Sequence, residues 1–415
     1  MILYLKIVYV QFMSFKSNPK LPLQILNFAS FLQYQRFIMP ISFLFYLYNG
    51  LSFSDFILFQ SIFNITCLIA KIPMGYLGDL FSKKAIIIVS YLLFTLRVIL
   101  WIFFKGYWVV LTGEILYGLF KALYRGNVDS YVYDWLKLNN VKDKMLSRYG
   151  KLSFYTSLGS AVSCLAGAYM YKYMDFIHML HIELFLQIIA LLFLFMLPNI
   201  KNTSRIIRID TFAKYTKALY VNIISVIKNK KINYLILYSA VLTGFTGIFV
   251  WNFQPILKSC SAPVVVFGIL SFINQALRGI GGLFAEKICK TLNNTLIYIE
   301  YFVLLFSFIL LLYAHSQKNY IIVLSALLVI CVSILIFYVF NTYTISKVHA
   351  NTQDYKRSTT SSTNTFFGDF ASFLFLYLFK HLYDTLGFNI SVCIFMMFSA
   401  IFLFPKLYQI HNKVS

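Results

Sequence analysis

In this chain of 415 residues, apolar and aromatic types make up 60% and charged residues only 12%, too apolar for a soluble domain, in which about half the residues are apolar. The formal net charge of +22 would suit a nucleic-acid binder if the basic residues shared one soluble face, but they fall in short segments between apolar runs and leave a duplex nothing to grip. Apolar stretches of about 20 residues, the length that crosses a hydrocarbon core of about 30 Å, recur along the whole chain and predict a polytopic helical membrane protein.

The opening "MILYLKIVYVQFMSF" is apolar but short, carries Lys6 and lacks a small-residue cleavage site. It reads as an interfacial segment within residues 1–23 rather than as a removable signal. Spans are predicted at 24–48, 55–77, 85–104, 107–130, 152–172 and 176–197. The longest polar interruption, 198–232, follows, and is the richest in Lys and Arg. Within it, Phe212, Ala213, Tyr220, Ile223, Ile224 and Ile227 share one helical face while Lys214 and Lys217 lie off it, as in a helix resting on a membrane surface. Six more spans are predicted at 233–255, 263–285, 293–314, 320–342, 359–380 and 386–405, with a tail at 406–415. The expected organisation is an N-terminal six-helix bundle over 24–197, a cytoplasmic linker, and a C-terminal six-helix bundle over 233–405. With both termini cytoplasmic, most of the 36 Lys and Arg fall on the cytoplasmic side, as the positive-inside bias requires. That basic belt is expected to meet anionic lipid headgroups.

The six Cys, at 67, 164, 260, 289, 331 and 393, have no ligand-like spacing, and none of the six His falls at mid-membrane, so neither a metal nor a cofactor is expected. The chain has no "GxxxxGKS" phosphate loop and no catalytic constellation, which argues against ATP hydrolysis and against an enzyme.

One polar interruption stands out: "KIPMGYLGDLFSKKAII", Lys71 to Ile87. Gly75 and Gly78, about one turn apart, allow a neighbouring helix to approach closely. Asp79 then lies at the cytoplasmic mouth, with Lys83 four residues on, placed to pair with it on a continuing helical turn. "GGLFAEKICK", Gly281 to Lys290, echoes the stretch after the eighth span, as an internal repeat would. Through Gly75, Leu77, Asp79, Lys83 and Lys84 the stretch resembles the loop signature of the major facilitator superfamily, departing from it at Leu80 and Ser82. "YRGNVDSYVYDWLK", Tyr124 to Lys137, is similar to that family's fourth-span ending through Gly126, Tyr133, Asp134 and Leu136. "KRSTTSS", Lys356 to Ser362, is similar to its eleventh-span start through Arg357 and Thr359. The resemblance implies an all-α membrane protein of twelve transmembrane helices in two pseudo-symmetric bundles. It also implies a latch in which Gly75, Gly78, Asp79, Lys83, Lys84, Asp134 and Arg357 take part.

Ionisable residues at membrane depth cost from about 2.5 kcal/mol upward and normally face a bundle interior or a wet cavity. On the fourth span Glu114, Gly118, Lys121, Arg125 and Asp129 follow at steps of four, three, four and four, forming one stripe. Arg36, with Gln33 before it and Pro40 after, lies near the middle of the first span. The family fold lines its central path with the first, fourth, seventh and tenth spans, so Arg36 and Glu114 are positioned to meet each other or a substrate. The competing reading is a structural ion pair that closes the bundle. The second half offers Asn252, Gln275, Arg278 and Asp369 as cavity residues. Glu114 and Asp369 are the candidate proton carriers, since a lone carboxylate in a protein-lined cavity takes up a proton near neutral pH. Arg97 and Glu300 fall on peripheral spans and are expected to pair structurally.

The function these features imply is alternating-access secondary transport of a small solute, proton-coupled and with export favoured, by a monomer in a bacterial inner membrane. Uptake of a small anionic solute, a membrane-embedded lipid-modifying enzyme and a non-transporting receptor are the alternatives. Basic residues outnumber the acids Glu114, Asp129, Glu300 and Asp369 at membrane depth, which favours an anionic cargo. Two signatures of drug/proton antiporters are missing: Glu114 stands where those proteins carry Arg, and the fifth span has Gly159 and Gly167 but no Gly-Pro pair.

Overall fold

The computed structural model describes residues 20–139, 145–200, 224, 230–292, 295–350 and 357–414. The expected interfacial segment and, but for Ile224, the linker helix lie outside them. The described residues form an all-α membrane protein. Its helices are α1 (Leu21–Gln33), α2 (Ser42–Tyr48), α3 (Phe53–Leu80), α4 (Lys83–Phe103), α5 (Tyr107–Leu138), α6 (Met145–Met170) and α7 (Phe176–Phe195), then α8 (Lys230–Ser259), α9 (Val264–Leu292), α10 (Thr295–Ser316), α11 (Tyr320–Ala350) and α12 (Arg357–Val414).

Two features separate these helices from the predicted spans. The first span is not one helix: α1 and α2 are separate, joined through a 3-10 turn at Met39–Ile41. The eleventh and twelfth spans are the two arms of α12, which bends at Gly387, where φ is 79° and ψ 174°, a conformation that a side chain would oppose. Seven helices among the described residues are long and apolar enough to cross a bilayer by length and composition alone. Helix α5 spans 32 residues and carries the charged stripe.

Local signals fix the helix starts. Pro22 occupies the first turn of α1, where its missing N–H costs nothing. Ser82 caps α4 by accepting the Ala85 N–H at 3.2 Å, and Asp175 caps α7 by accepting the His178 N–H at 2.9 Å. That bond and the His178 ring hold the Asp175 carboxyl below its ordinary range. Outward surfaces are apolar, with Phe103, Trp108 and Ile401 among the most exposed side chains, as lipid-facing helices require.

Two compact units result, one of residues 1–39 with 69–212 and the other of residues 40–68 with 213–415. In the first, α4 packs along α5 and α7, and α1 along α6 and α7. In the second, α8 packs along α12 and α11, α9 along α11, and α10 against both α11 and α12. The Pro40–Leu68 segment joins this second unit through definite contacts. Gln254 Oε1 on α8 accepts the Phe43 N–H at 2.8 Å and the Ser42 hydroxyl at 3.3 Å, while Ser54 donates to Asp384 at 3.0 Å. The Phe53 and Tyr383 rings meet edge-on at 4.5 Å.

A candidate solute site at the break in the first span

Pro40 has no N–H to return to the Arg36 carbonyl, so a continuous helix would lose a bond there. The Met39 N–H reaches that carbonyl instead at 3.2 Å, and the Gln35 N–H bonds Leu32 O at 3.0 Å. The irregular segment between α1 and the 3-10 turn is supported by α6. A β-carbon at Gly159 would lie 2.5 Å from the Phe31 carbonyl oxygen, and one at Gly167 would overlap that of Phe37. Between them Ser163 donates to Tyr34 O at 3.2 Å. A Gly-x-x-x-Ser-x-x-x-Gly stripe thus lets α6 lie directly against the broken backbone, and this close approach is what the two glycines supply.

Arg36 stands in the break, only 6% exposed. Its Nη1 donates to the Tyr117 hydroxyl and its Nε to Gln33 O at 3.3 Å. The guanidinium lies 4.6 Å from the Tyr34 ring centre and 4.7 Å from those of Phe94 and Tyr117, within the range where a ring face attracts a cation. Its Nη2 has no hydrogen-bond partner.

Glu114 does not meet Arg36. Its carboxylate forms an ion pair of 3.0 Å with Arg97 Nη2, and the two side chains are 4% and 11% exposed. Arg97 is in turn held over the Trp101 ring at 3.9 Å, and Gly113 leaves room for that indole. The structural pairing expected of Arg97 is therefore made with Glu114, and Tyr117, three residues on along α5, takes the partnership with Arg36.

Sequence reasoning missed Glu183. It lies inside an apolar run on α7, 3% exposed, within electrostatic reach of both Arg97 and Arg36, and it accepts the Phe37 N–H. One turn further, Gln187 donates to Gln33 O at 3.3 Å. The available signals were its membrane depth and Gln187 four residues on, which puts two polar side chains on one face of an otherwise apolar run.

The remaining candidates are placed as follows. Lys121 is half-buried on α5 and has interactions of its own. Asn252 is fully buried on α8, donating to Ile248 O at 2.7 Å with its carbonyl oxygen unpartnered. Gln275 is half-buried on α9, while Arg278 is exposed, 5.2 Å from the Tyr338 ring centre. Asp369 is half-buried on α12 beside Gly368, which packs on Thr243. Glu300 is buried on α10 and accepts the Tyr238 hydroxyl at 3.1 Å.

Of the latch residues, Gly75, Gly78, Asp79 and Arg357 are described only as helical backbone. The continuing turn expected between Asp79 and Lys83 is not formed. Helix α3 ends at Leu80 and α4 begins at Lys83, because Ser82 adopts an extended conformation and caps the new helix. Lys84 donates to Phe195 O at 2.7 Å, at the carbonyl end of α7, where a cation is favoured. Lys83 and Asp134 are half-buried.

No curated protein matches the chain. The fold is similar to that of the nucleoside transporter NupG, with TM-score 0.73 and 15% identity over 94% of this chain and 98% of that one. A POT family transporter solved in complex with 5-aminolevulinic acid gives 0.75 and 11% over 95% and 96%. The human organic anion transporter MFSD10 gives 0.63 and 12% over 94% and 99%. The Major Facilitator Superfamily model matches residues 25–376. With that match and a shared fold, the chain belongs to the major facilitator superfamily and is an integral membrane transporter rather than an enzyme.

Proposed function

We propose that the protein moves a small solute by alternating access, driven by the proton gradient, with Arg36 as its principal binding residue. The observation that carries this reading is the position of Arg36: a buried cation in a non-helical break of a membrane span, with one guanidinium nitrogen left unpartnered. Broken helices at midplane sites are a recurrent device of secondary transporters, because unwound backbone is tolerated in the membrane only where protein or a cavity covers it. The polar residues Asn252, Gln275 and Asp369 of the second half are its proposed counterparts, and Asp369 and Glu114 its proton carriers, Glu114 taking up a proton when it releases Arg97. The Gly75 to Lys84 stretch, with Asp134 and Arg357, acts as the latch of one state. The protein works as a monomer in a bacterial inner membrane, both termini inside, its basic belt on anionic lipid.

Purified protein in liposomes tests the reading. Solutes that raise its melting temperature are supplied in radiolabelled form with and without a pH gradient, and the direction of net flux is read in the same vesicles. Arg36→Met is expected to abolish accumulation while preserving folded yield; undiminished flux would overturn the proposal. Glu114→Gln and Asp369→Asn are expected to lose gradient-driven accumulation and to keep solute exchange.

A further inference from the structure

Among the described residues, six buried polar atoms around the break have no hydrogen-bond partner: Gln33 Nε2 and Oε1, Gln35 Nε2, Arg36 Nη2, Glu183 Oε2 and Gln187 Oε1. The five residues are each at most 6% exposed. Buried polar groups are nearly always satisfied in folded proteins, so such a concentration marks a place where something else supplies the partners. The three amides can turn to present either a donor or an acceptor, but Arg36 and Glu183 cannot exchange roles. One offers only N–H and the other, when ionised, only oxygen.

These two opposite charges feel each other without forming an ion pair. Each is already part of a balanced set: Glu183 lies within reach of Arg36 and Arg97, Arg97 is paired with Glu114, and with both acids ionised the formal charges cancel. A simple anion would satisfy Arg36 Nη2 and place a second negative charge beside Glu183. A simple amine would satisfy Glu183 and add a positive charge beside Arg36. A net-neutral molecule carrying both groups satisfies both orphans and leaves the buried charge balanced, the condition under which burying ions costs least.

We propose that the broken segment binds a zwitterion: a small molecule with a carboxylate for Arg36 Nη2 and an ammonium for Glu183 Oε2, the amides of Gln33, Gln35 and Gln187 completing the hydrogen bonds. The aromatic rings of Tyr34, Phe94 and Tyr117 are already committed to the guanidinium, so they hold the binding residue rather than select the side group. This inference rests on the reading of Arg36 as the solute site and narrows it to a substrate class.

The test uses full-length protein in detergent and thermal shift with L-phenylalanine, L-leucine and 5-aminolevulinic acid, each also as its N-acetyl and methyl-ester derivative. At least one zwitterion is expected to stabilise the wild type, and its two derivatives, each lacking one charge, to bind at least tenfold more weakly. Glu183→Gln is expected to weaken the zwitterion at least tenfold and to narrow its advantage over the N-acetyl form. Should Glu183→Gln fold poorly, Glu183→Asp keeps the charge one methylene further away and is expected to favour a ligand with a longer spacing between amine and carboxylate. Equal stabilisation by zwitterion and N-acetyl form would overturn the inference and leave Arg36 as a carboxylate site. Stabilisation by none of the zwitterions would mean that internal water fills the orphans. Neither result bears on the flux assay with Arg36→Met, so the transport reading stands or falls separately.

Discussion

The Arg97 to Glu114 pair shows what a buried charge demands. At 3.0 Å and nearly excluded from solvent, it replaces two hydration shells by one contact and an indole face. Its net stabilisation over two apolar residues is small, whereas removing one partner leaves the other uncompensated, at a cost of about 3–5 kcal/mol. Glu114→Gln is therefore expected to lower stability by the smaller part of that range, because Glu183 also attracts Arg97. The double variant Arg97→Met with Glu114→Leu should recover most of the loss. Denaturation of the purified protein measures both, and a single variant as stable as wild type would show that the pair is wetter than its burial suggests.

At the scale of the element, the break in the first span is set from two sides. Pro40 removes a helical bond from within, and the Gly159, Ser163 and Gly167 stripe of α6 accommodates the displaced backbone from outside. The fixed partner at Gly167 is a carbonyl oxygen, which cannot rotate away as a side chain can. Gly167→Val is expected to cost about 1–3 kcal/mol and to impair transport by displacing Phe37, next to Arg36. Gly126→Ala, on α5 with open space at its β-carbon, is the control and should be neutral or slightly stabilising, since alanine favours helix by about 1 kcal/mol. Melting curves of the two variants decide it. The turn between α3 and α4 follows a related logic: Ser82, where the family signature has Gly, supplies a side-chain cap and ends the run that carries Asp79.

At the scale of the whole molecule, Pro40–Leu68 clusters with the second unit although the segments on both sides of it cluster with the first. Among the described residues its contacts with α8 and α12 include hydrogen bonds at Gln254, Asp384 and the Phe373 carbonyl and ring edges at Trp251 and Tyr383. Such a seam can break and re-form at modest cost, as alternation between two states requires. Joining Ser54→Cys and Asp384→Cys by a disulfide is therefore expected to stop flux, and reduction to restore it. Cys67, Cys164, Cys260 and Cys331 are buried free thiols, whereas Cys393 is a half-buried one, so the experiment is run with Cys289 and Cys393 replaced by alanine. Full flux through the oxidised protein would show that this seam stays closed throughout the cycle.

The apolar runs alone determined that this is a helical membrane protein, and their order together with the loop residues Gly75 to Lys84 identified its family, because partition into lipid is decided by some twenty consecutive residues at a time. Arg36 was legible for the same reason, as a charge in a place where charge is expensive. The partner of Glu114, the place of Glu183 beside Arg36 and Arg97 and the open backbone around Arg36 were settled only by tertiary structure. Helical spacing relates residues of one helix, whereas Arg97, Glu183 and the glycines of α6 come from three others, and which of them meets which depends on how the helices pack.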